Sequence, residues 1–133
     1  MSALVLDTHA WVWWASKPEK LSRRQRTAID RARRRGGESL LLSVISAWEV
    51  ALLVQGARLR LPVPLEAWLE QAMSIAGLDV VPLSVPIIAS AARLAALRDP
   101  ADMLIVATAL HHGAPLVTSD RRIADSGSVQ VIA

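Results

Sequence analysis

Five short apolar runs set the limits on what this chain can fold into. They are ALVL at 3–6, SLLLS at 39–43, DVVPL at 79–83, APLVT at 114–118 and VQVI at 129–132. Each has the length of a strand and little or no polar alternation, the pattern of strands buried on both faces. Helical segments fill the gaps. THAWVWWA follows Asp7 and stops before Lys17-Pro18. Ser22 is placed to cap a polar helix running to Arg35, closed by Gly36-Gly37. Residues 44–55 read as helix up to Gly56. After Pro62-Val63-Pro64, the apolar positions Leu65, Trp68, Leu69, Ala72, Met73 and Ala76 mark an amphipathic helix over 65–76, ended by Gly77. Residues 85–97 form another, with Pro86 in its first turn. The last long one is DPADMLIVATAL, stopped at Gly113. Strands alternating with helices predict a three-layer α/β/α fold on a parallel sheet, as a single domain over 1–133.

Such a fold fixes where chemistry gathers. Ligands of open α/β sheets collect beyond the carboxyl ends of the strands. Asp7 follows the first run directly, and Ser119-Asp120 follow the fourth. If those strands are parallel neighbours, both acids arrive at one edge. Of twelve acidic residues, Glu19, Asp30, Glu38, Glu66, Glu70, Asp79 and Asp125 have ordinary places in polar loops, on polar helix faces or at turns. Five stand among apolar residues or at element ends: Asp7, Glu49, Asp99, Asp102 and Asp120. Each has a capping role open to it. Asp7 can cap the first helix, and Asp120 the turn RRIA. Ser46 and Glu49 have capping-box spacing. Asp99-Pro100 is a usual helix start, with Asp102 in its first turn. Capping explains why acids begin helices, but not why they begin helices at one sheet edge.

Several carboxylates brought together are costly unless a cation neutralises them. Cysteine is absent, so the donors are oxygens and the fitting cation is hard: Mg²⁺ or Mn²⁺. Acids gathered on such an ion suit phosphodiester hydrolysis by metal-activated water. Thirteen of the fifteen basic residues are arginine, and the formal net charge is +3. Arg23, Arg24, Arg26, Arg31, Arg33, Arg34 and Arg35 crowd one segment, with Arg58 and Arg60 further on. Such clusters attract polyanions; a solvated helix with Asp30 paired to Arg26 or Arg34 fits as well. His9 is the one histidine near the acids, whereas His111-His112 suit a helix C-terminus. Trp11, Trp14, Trp48 and Trp68 fit apolar faces, as core or interface, and Trp13 is free to be exposed or to stack on a base.

LVLDTHAWVWW, SVISAWEVAL, DPADMLIVATAL and LVTSD occur in order and at intervals that resemble the PIN domain, and within it the VapC-type toxins of toxin–antitoxin pairs. The likeness runs from Leu4 to Asp120. It implies a five-stranded parallel sheet in the order 3-2-1-4-5, Mg²⁺- or Mn²⁺-dependent endoribonuclease activity, a cognate antitoxin and a homodimer. Carried over by position, the acids that bind metal and catalyse are Asp7, Glu49 (directly or through water), Asp102 and Asp120. Asp99, Ser119 and His9 take supporting places. Arg23, Arg24, Arg26, Arg58 and Arg60 are candidates to steer RNA. Met103 departs from the pattern, because relatives commonly carry a basic residue after the second aspartate of D-P-x-D.

No apolar run approaches the roughly 18 residues that span a bilayer, and MSALVLD has no secretory pattern; with cysteine absent, the cytoplasm is the expected location. Three other readings compete with this one. A non-catalytic RNA- or partner-binding module of the same fold would bind metal weakly and cleave nothing. A phosphotransfer receiver would want a lysine after its fifth strand, and the only lysines are Lys17 and Lys20. A flap-type DNA nuclease would need clamping helices for which 133 residues leave little room.

Overall fold

The computed structural model describes residues 3–133. Its sheet has five strands in the order β3-β2-β1-β4-β5, all pairs parallel. They are β1 (Leu4–Leu6), β2 (Leu40–Ser43), β3 (Leu78–Val81), β4 (Leu116–Val117) and β5 (Val131–Ile132). The helices are α1 (Thr8–Ser16), α2 (Arg23–Arg35), α3 (Ile45–Gln55), α4 (Leu65–Met73), α5 (Val85–Ala91), α6 (Pro100–His111) and α7 (Arg121–Ser126). Among the described residues, no helix is long and apolar enough to cross a membrane.

The alternation of side chains along each strand builds two cores. Leu4, Leu6, Leu40 and Leu42 pack with Trp11, Ile29, Val50 and Trp68 on one face of the sheet. Val5, Leu41 and Leu116 pack with Ile105, Val106, Ala109 and Ile123 on the other. β1 and β2 are buried along their whole length, which explains the unbroken apolar runs. The centre of the first core is Trp11, fully buried, its indole N–H donating to the Ala72 carbonyl at 3.0 Å. Its ring meets Trp68 edge-on at 4.9 Å between centroids.

Several boundaries differ from the sequence expectation. The amphipathic helix stops at Met73 rather than residue 76, with Ser74 as its C-cap; Gly77 instead sits at φ +90° in the turn into β3. The segment 85–97 is two pieces, α5 and a 3₁₀ turn over Ala95–Leu97, and Arg98 at φ +67° turns the chain into α6. Ser46 is not an N-cap. α3 begins at Ile45 after Val44, and the buried Ser46 hydroxyl lies 3.0 Å from that of Thr8. The capping-box spacing of Ser46 and Glu49 therefore serves an inter-helix contact. Trp48 is 60% exposed, so it belongs to the surface rather than the core.

Replacing Trp11 by Phe should keep most of the packing but strand the Ala72 carbonyl, costing about 1–3 kcal/mol. Trp11→Ala should cost about 3–5 kcal/mol. Urea unfolding midpoints at constant slope would measure both, and a neutral Trp11→Ala would refute the placement of this core.

Candidate active site

A cleft of about 520 Å³ opens beyond the carboxyl ends of β1, β2 and β4, and Asp7, Glu49, Asp99, Asp102 and Asp120 all line it. Each arrives by a local rule. Asp7 is the residue after β1 and the N-cap of α1, its Oδ1 accepting from the Ala10 amide at 2.7 Å. Asp99 is the N-cap of α6 and accepts from the Asp102 amide at 3.0 Å. That places Asp102 in the first turn of the same helix. Asp120, delivered by β4, caps α7 by accepting from the Arg122 amide at 2.9 Å. Glu49 projects from α3 and accepts a short hydrogen bond from the Thr8 hydroxyl. The caps anticipated from the sequence at Asp7, Asp99 and Asp120 are thus real, and they aim these acids into one cleft.

Glu49, Asp99 and Asp102 each offer a carboxylate oxygen, and these oxygens lie within 4.8 Å of one another. Asp99 therefore stands inside the tightest cluster, more centrally than the supporting place the sequence suggested. Asp7 and Asp120 line the same cleft outside that trio. Burial pushes the Asp7 carboxyl up from its ordinary value, and hydrogen bonds from Thr118 and the Ala10 amide oppose the rise. Asp102 is pushed up to about 7, first by burial and then by the negative charges of Asp99, Glu49 and Asp120. Asp120 goes the other way, because its hydrogen bonds with Arg122 hold its carboxyl low. Half-buried carboxylates that crowd one another with oxygen donors only are the surroundings a hard divalent cation fits.

The structure adds residues the sequence left aside. By sequence Arg122 belongs to a short turn, yet its guanidinium lies 3.1 Å from Asp120 and 3.9 Å from Asp102. Its position two residues past a strand-end acid was the available signal. Thr8 is buried and orients Glu49, and Thr118 supports Asp7. Met103 packs against Ile87, Ala91 and Ala107 rather than lining the cleft. Ser119 lines the cleft, and its hydroxyl accepts from Gln25 Nε2 at 3.2 Å. His9 lines it beside Trp13, with 5.9 Å between ring centroids. His112 packs at the end of α6, its Nδ1 2.9 Å from the Thr108 carbonyl, the structural part expected of it.

The arginine candidates divide. Arg58 lines the acidic cleft, and Arg60 lines a neighbouring groove together with Arg58. Arg23, Arg24 and Arg26 are exposed on α2. Arg23 and Arg24 line a separate pocket with Arg31 that shares no lining residue with the acidic cleft. Arg33 has a structural task, with Nε donating to the Ala76 carbonyl at 3.0 Å and the guanidinium 5.9 Å from the Trp14 ring centroid.

The carboxylates make a prediction about pH. Asp102 holds its proton more tightly in the folded than in the unfolded chain. Its contribution to stability is therefore full below its ordinary value and is lost as pH rises toward 7. Asp7 acts in the same direction, and Asp120 in the opposite one, its contribution being lost as pH falls through its lowered value. In EDTA, Asp102→Asn should melt several degrees above the parent protein at about pH 8 and gain far less at about pH 4.5. Mn²⁺ added at the higher pH should raise the melting point of the parent much more than that of the variant. Parallel melting curves at both pH values would show that Asp102 is not crowded.

Comparison with known proteins bears on the whole chain. The PIN domain family model matches residues 4–127. Ribonuclease VapC22 of Mycobacterium tuberculosis (strain ATCC 25618 / H37Rv) is 38% identical over 124 residues, covering 92% of this chain and 91% of that protein. Among solved structures, VapBC2 from Rickettsia felis bound to a promoter DNA fragment aligns with a TM-score of 0.68 at 17% identity, over 98% of this chain and 97% of that one. FitAcB from Neisseria gonorrhoeae gives 0.64 at 23% identity, over 98% and 96%. These structural matches establish the shared fold. With the family match over nearly all of the sequence and a relative at 38% identity, this chain belongs to the PIN domain family.

Proposed function

We propose that the protein is a divalent-metal-dependent endoribonuclease, and the toxin of a toxin–antitoxin pair. The observation that carries this is the joint one. A protein named as a ribonuclease is 38% identical over 92% of the chain, and five carboxylates meet in one cleft at the sheet edge. Family membership and the trio of Glu49, Asp99 and Asp102 support dependence on a metal, and the all-oxygen donor set favours Mg²⁺ or Mn²⁺.

In this proposal Asp7, Glu49, Asp102 and Asp120 hold the ion, Glu49 directly or through water, with Asp99 beside them. When bound, the cation supplies positive charge to the scissile phosphate and acidifies a water for in-line attack. The chain's own residues prepare the place. Thr8 fixes the Glu49 carboxylate, and the capping bonds from the Ala10 and Asp102 amides fix Asp7 and Asp99. Arg122 offsets part of the negative charge around Asp102 and Asp120, a task that also suits contact with an RNA phosphate. His9 lies within the cleft, open to substrate. Cytoplasmic RNA is the substrate and a cognate antitoxin the partner. Several structural neighbours are toxin–antitoxin assemblies, among them a complex from Klebsiella pneumoniae.

We assign the homodimer contact to the outer face of α3. Val44, Trp48 and Leu52 follow one another at i, i+4, i+8 and are 36%, 60% and 46% exposed. Val85 and Ile88 of α5 are also exposed, at 79% and 50%, and the Val44 amide bonds to the Val81 carbonyl at 2.9 Å, which brings the two stretches close. The apolar face of α4 is used internally, because Trp68 and Ala72 are buried in the core.

Two measurements test these assignments. Asp7→Asn and Asp102→Asn should lower cleavage of single-stranded RNA by at least about 100-fold while remaining folded. EDTA should abolish parent activity, and Mg²⁺ or Mn²⁺ should restore it; folded variants with full activity would remove these acids from the site. For the dimer, Trp48→Glu should shift the species seen by light scattering from dimer to monomer, and an unshifted dimer would move the contact elsewhere.

A further inference from the structure

A second groove adjoins the acidic cleft, and its chemistry is opposite. It encloses about 470 Å³ and is lined by Trp13, Lys17, Lys20, Arg58 and Arg60, together with apolar residues of α1 and of the segment 59–62. Among the described residues, no carboxylate lines it. Trp13 and Arg58 line both spaces, so the groove and the cleft share a wall. Both lysines of the chain stand here. The 3₁₀ turn over Pro18–Lys20 folds the chain back after α1 and sets Lys20 Nζ 4.3 Å from the Trp13 ring centroid.

We propose that this groove binds the part of a single-stranded RNA that flanks the cut, with Lys17, Lys20, Arg58 and Arg60 on successive phosphates and Trp13 as the wall the strand passes on its way to the acids. The proposal rests on the ribonuclease reading. Charge complementarity selects the occupant. The acidic cleft by itself repels a polyanion, so attraction must come from beside it. The groove supplies four cations and an aromatic surface in continuity with the cleft, the combination by which single strands are held without regard to sequence. The arginines of α2 line a pocket that shares no residue with either space, and are therefore second in rank as the strand's track. A protein segment in the same groove would need matching negative charge, and it is treated as the competing outcome.

The test is binding rather than turnover. Fluorescence anisotropy of a labelled oligouridine of about ten nucleotides, in EDTA so that it stays intact, would be read against salt for the parent and for K17A/K20A/R60A. Each cation lost from a single-strand phosphate flattens the dependence of log K on log salt by about 0.7. The triple variant should therefore bind at least about tenfold more weakly, with a slope shallower by about 2. The charge-keeping variant K17R/K20R/R60K should retain affinity, which separates loss of charge from loss of fold. Unchanged affinity and slope in the alanine variant would overturn the proposal. So would a loss confined to R23A/R24A/R31A, or saturable binding of oligoglutamate through Lys17, Lys20 and Arg60 with no binding of oligouridine. If the parent binds RNA with the expected slope yet never cleaves it with metal present, the ribonuclease reading fails and the groove assignment stands.

Discussion

Strand β1 lies between β2 and β4, with all three of its side chains buried and its backbone bonded on both sides. The Leu4 amide donates to Ser39 at 2.8 Å on one side, and the Asp7 amide to Val117 at 3.0 Å on the other. Burial of a backbone without water leaves such pairing as the only way to satisfy its polar groups. This pairing decides where the acids gather. It brings the ends of β1 and β4 side by side, so Asp7 and Asp120 emerge at the same edge. It also gives α1, α3 and α6 a common floor from which Thr8, Glu49, Asp99 and Asp102 reach the same cleft.

The cost of that convergence is electrostatic. Burial raises Asp102 to about 7, and the negative charges of Asp99, Glu49 and Asp120 add to the rise, because carboxylates a few ångströms apart disfavour one another's ionisation. The fold relieves it in two ways. Amides at the helix starts bind Asp7, Asp99 and Asp120, and hydroxyls of Thr8 and Thr118 bind Glu49 and Asp7. The single guanidinium of Arg122 then lies against Asp120 and near Asp102. Because Arg122 is largely exposed, with 78% of its side chain accessible, its pairing is weak and exchangeable. One exposed guanidinium thus leaves the cleft acidic overall.

Three of the five acids in the cleft also hold the fold together. Asp7, Asp99 and Asp120 are helix caps with sound geometry, and a cap is a rigid mount because its carboxylate is tied to its own helix within three residues. Removing one changes local stability as well as charge. Glu49 is different: it is held across helices by Thr8, so its position depends on the packing of α1 against α3 rather than on its own backbone.

The sequence by itself determined the layer architecture. Unbroken apolar runs have no exposed face, and alternation with helices leaves a covered parallel sheet as the solution. It also determined that acids would stand at strand and helix ends, since capping and strand exit are local rules. What it could not determine was contact between residues far apart in the chain. The spacing of Ser46 and Glu49 suggested a capping box, but tertiary packing turned both toward Thr8. Trp48 lies in an apolar sequence, yet α3 turns that side outward, because helical periodicity cannot say which of several apolar faces meets the sheet. Arg122 falls in a short turn by sequence, and only the tertiary structure sets its exposed guanidinium beside two acids. The closeness of Asp99 to Glu49 and the joining of a basic groove to the acidic cleft through Trp13 and Arg58 were likewise settled by tertiary structure. Local propensity acts over a few residues, whereas distances between elements follow from how two cores close on one sheet.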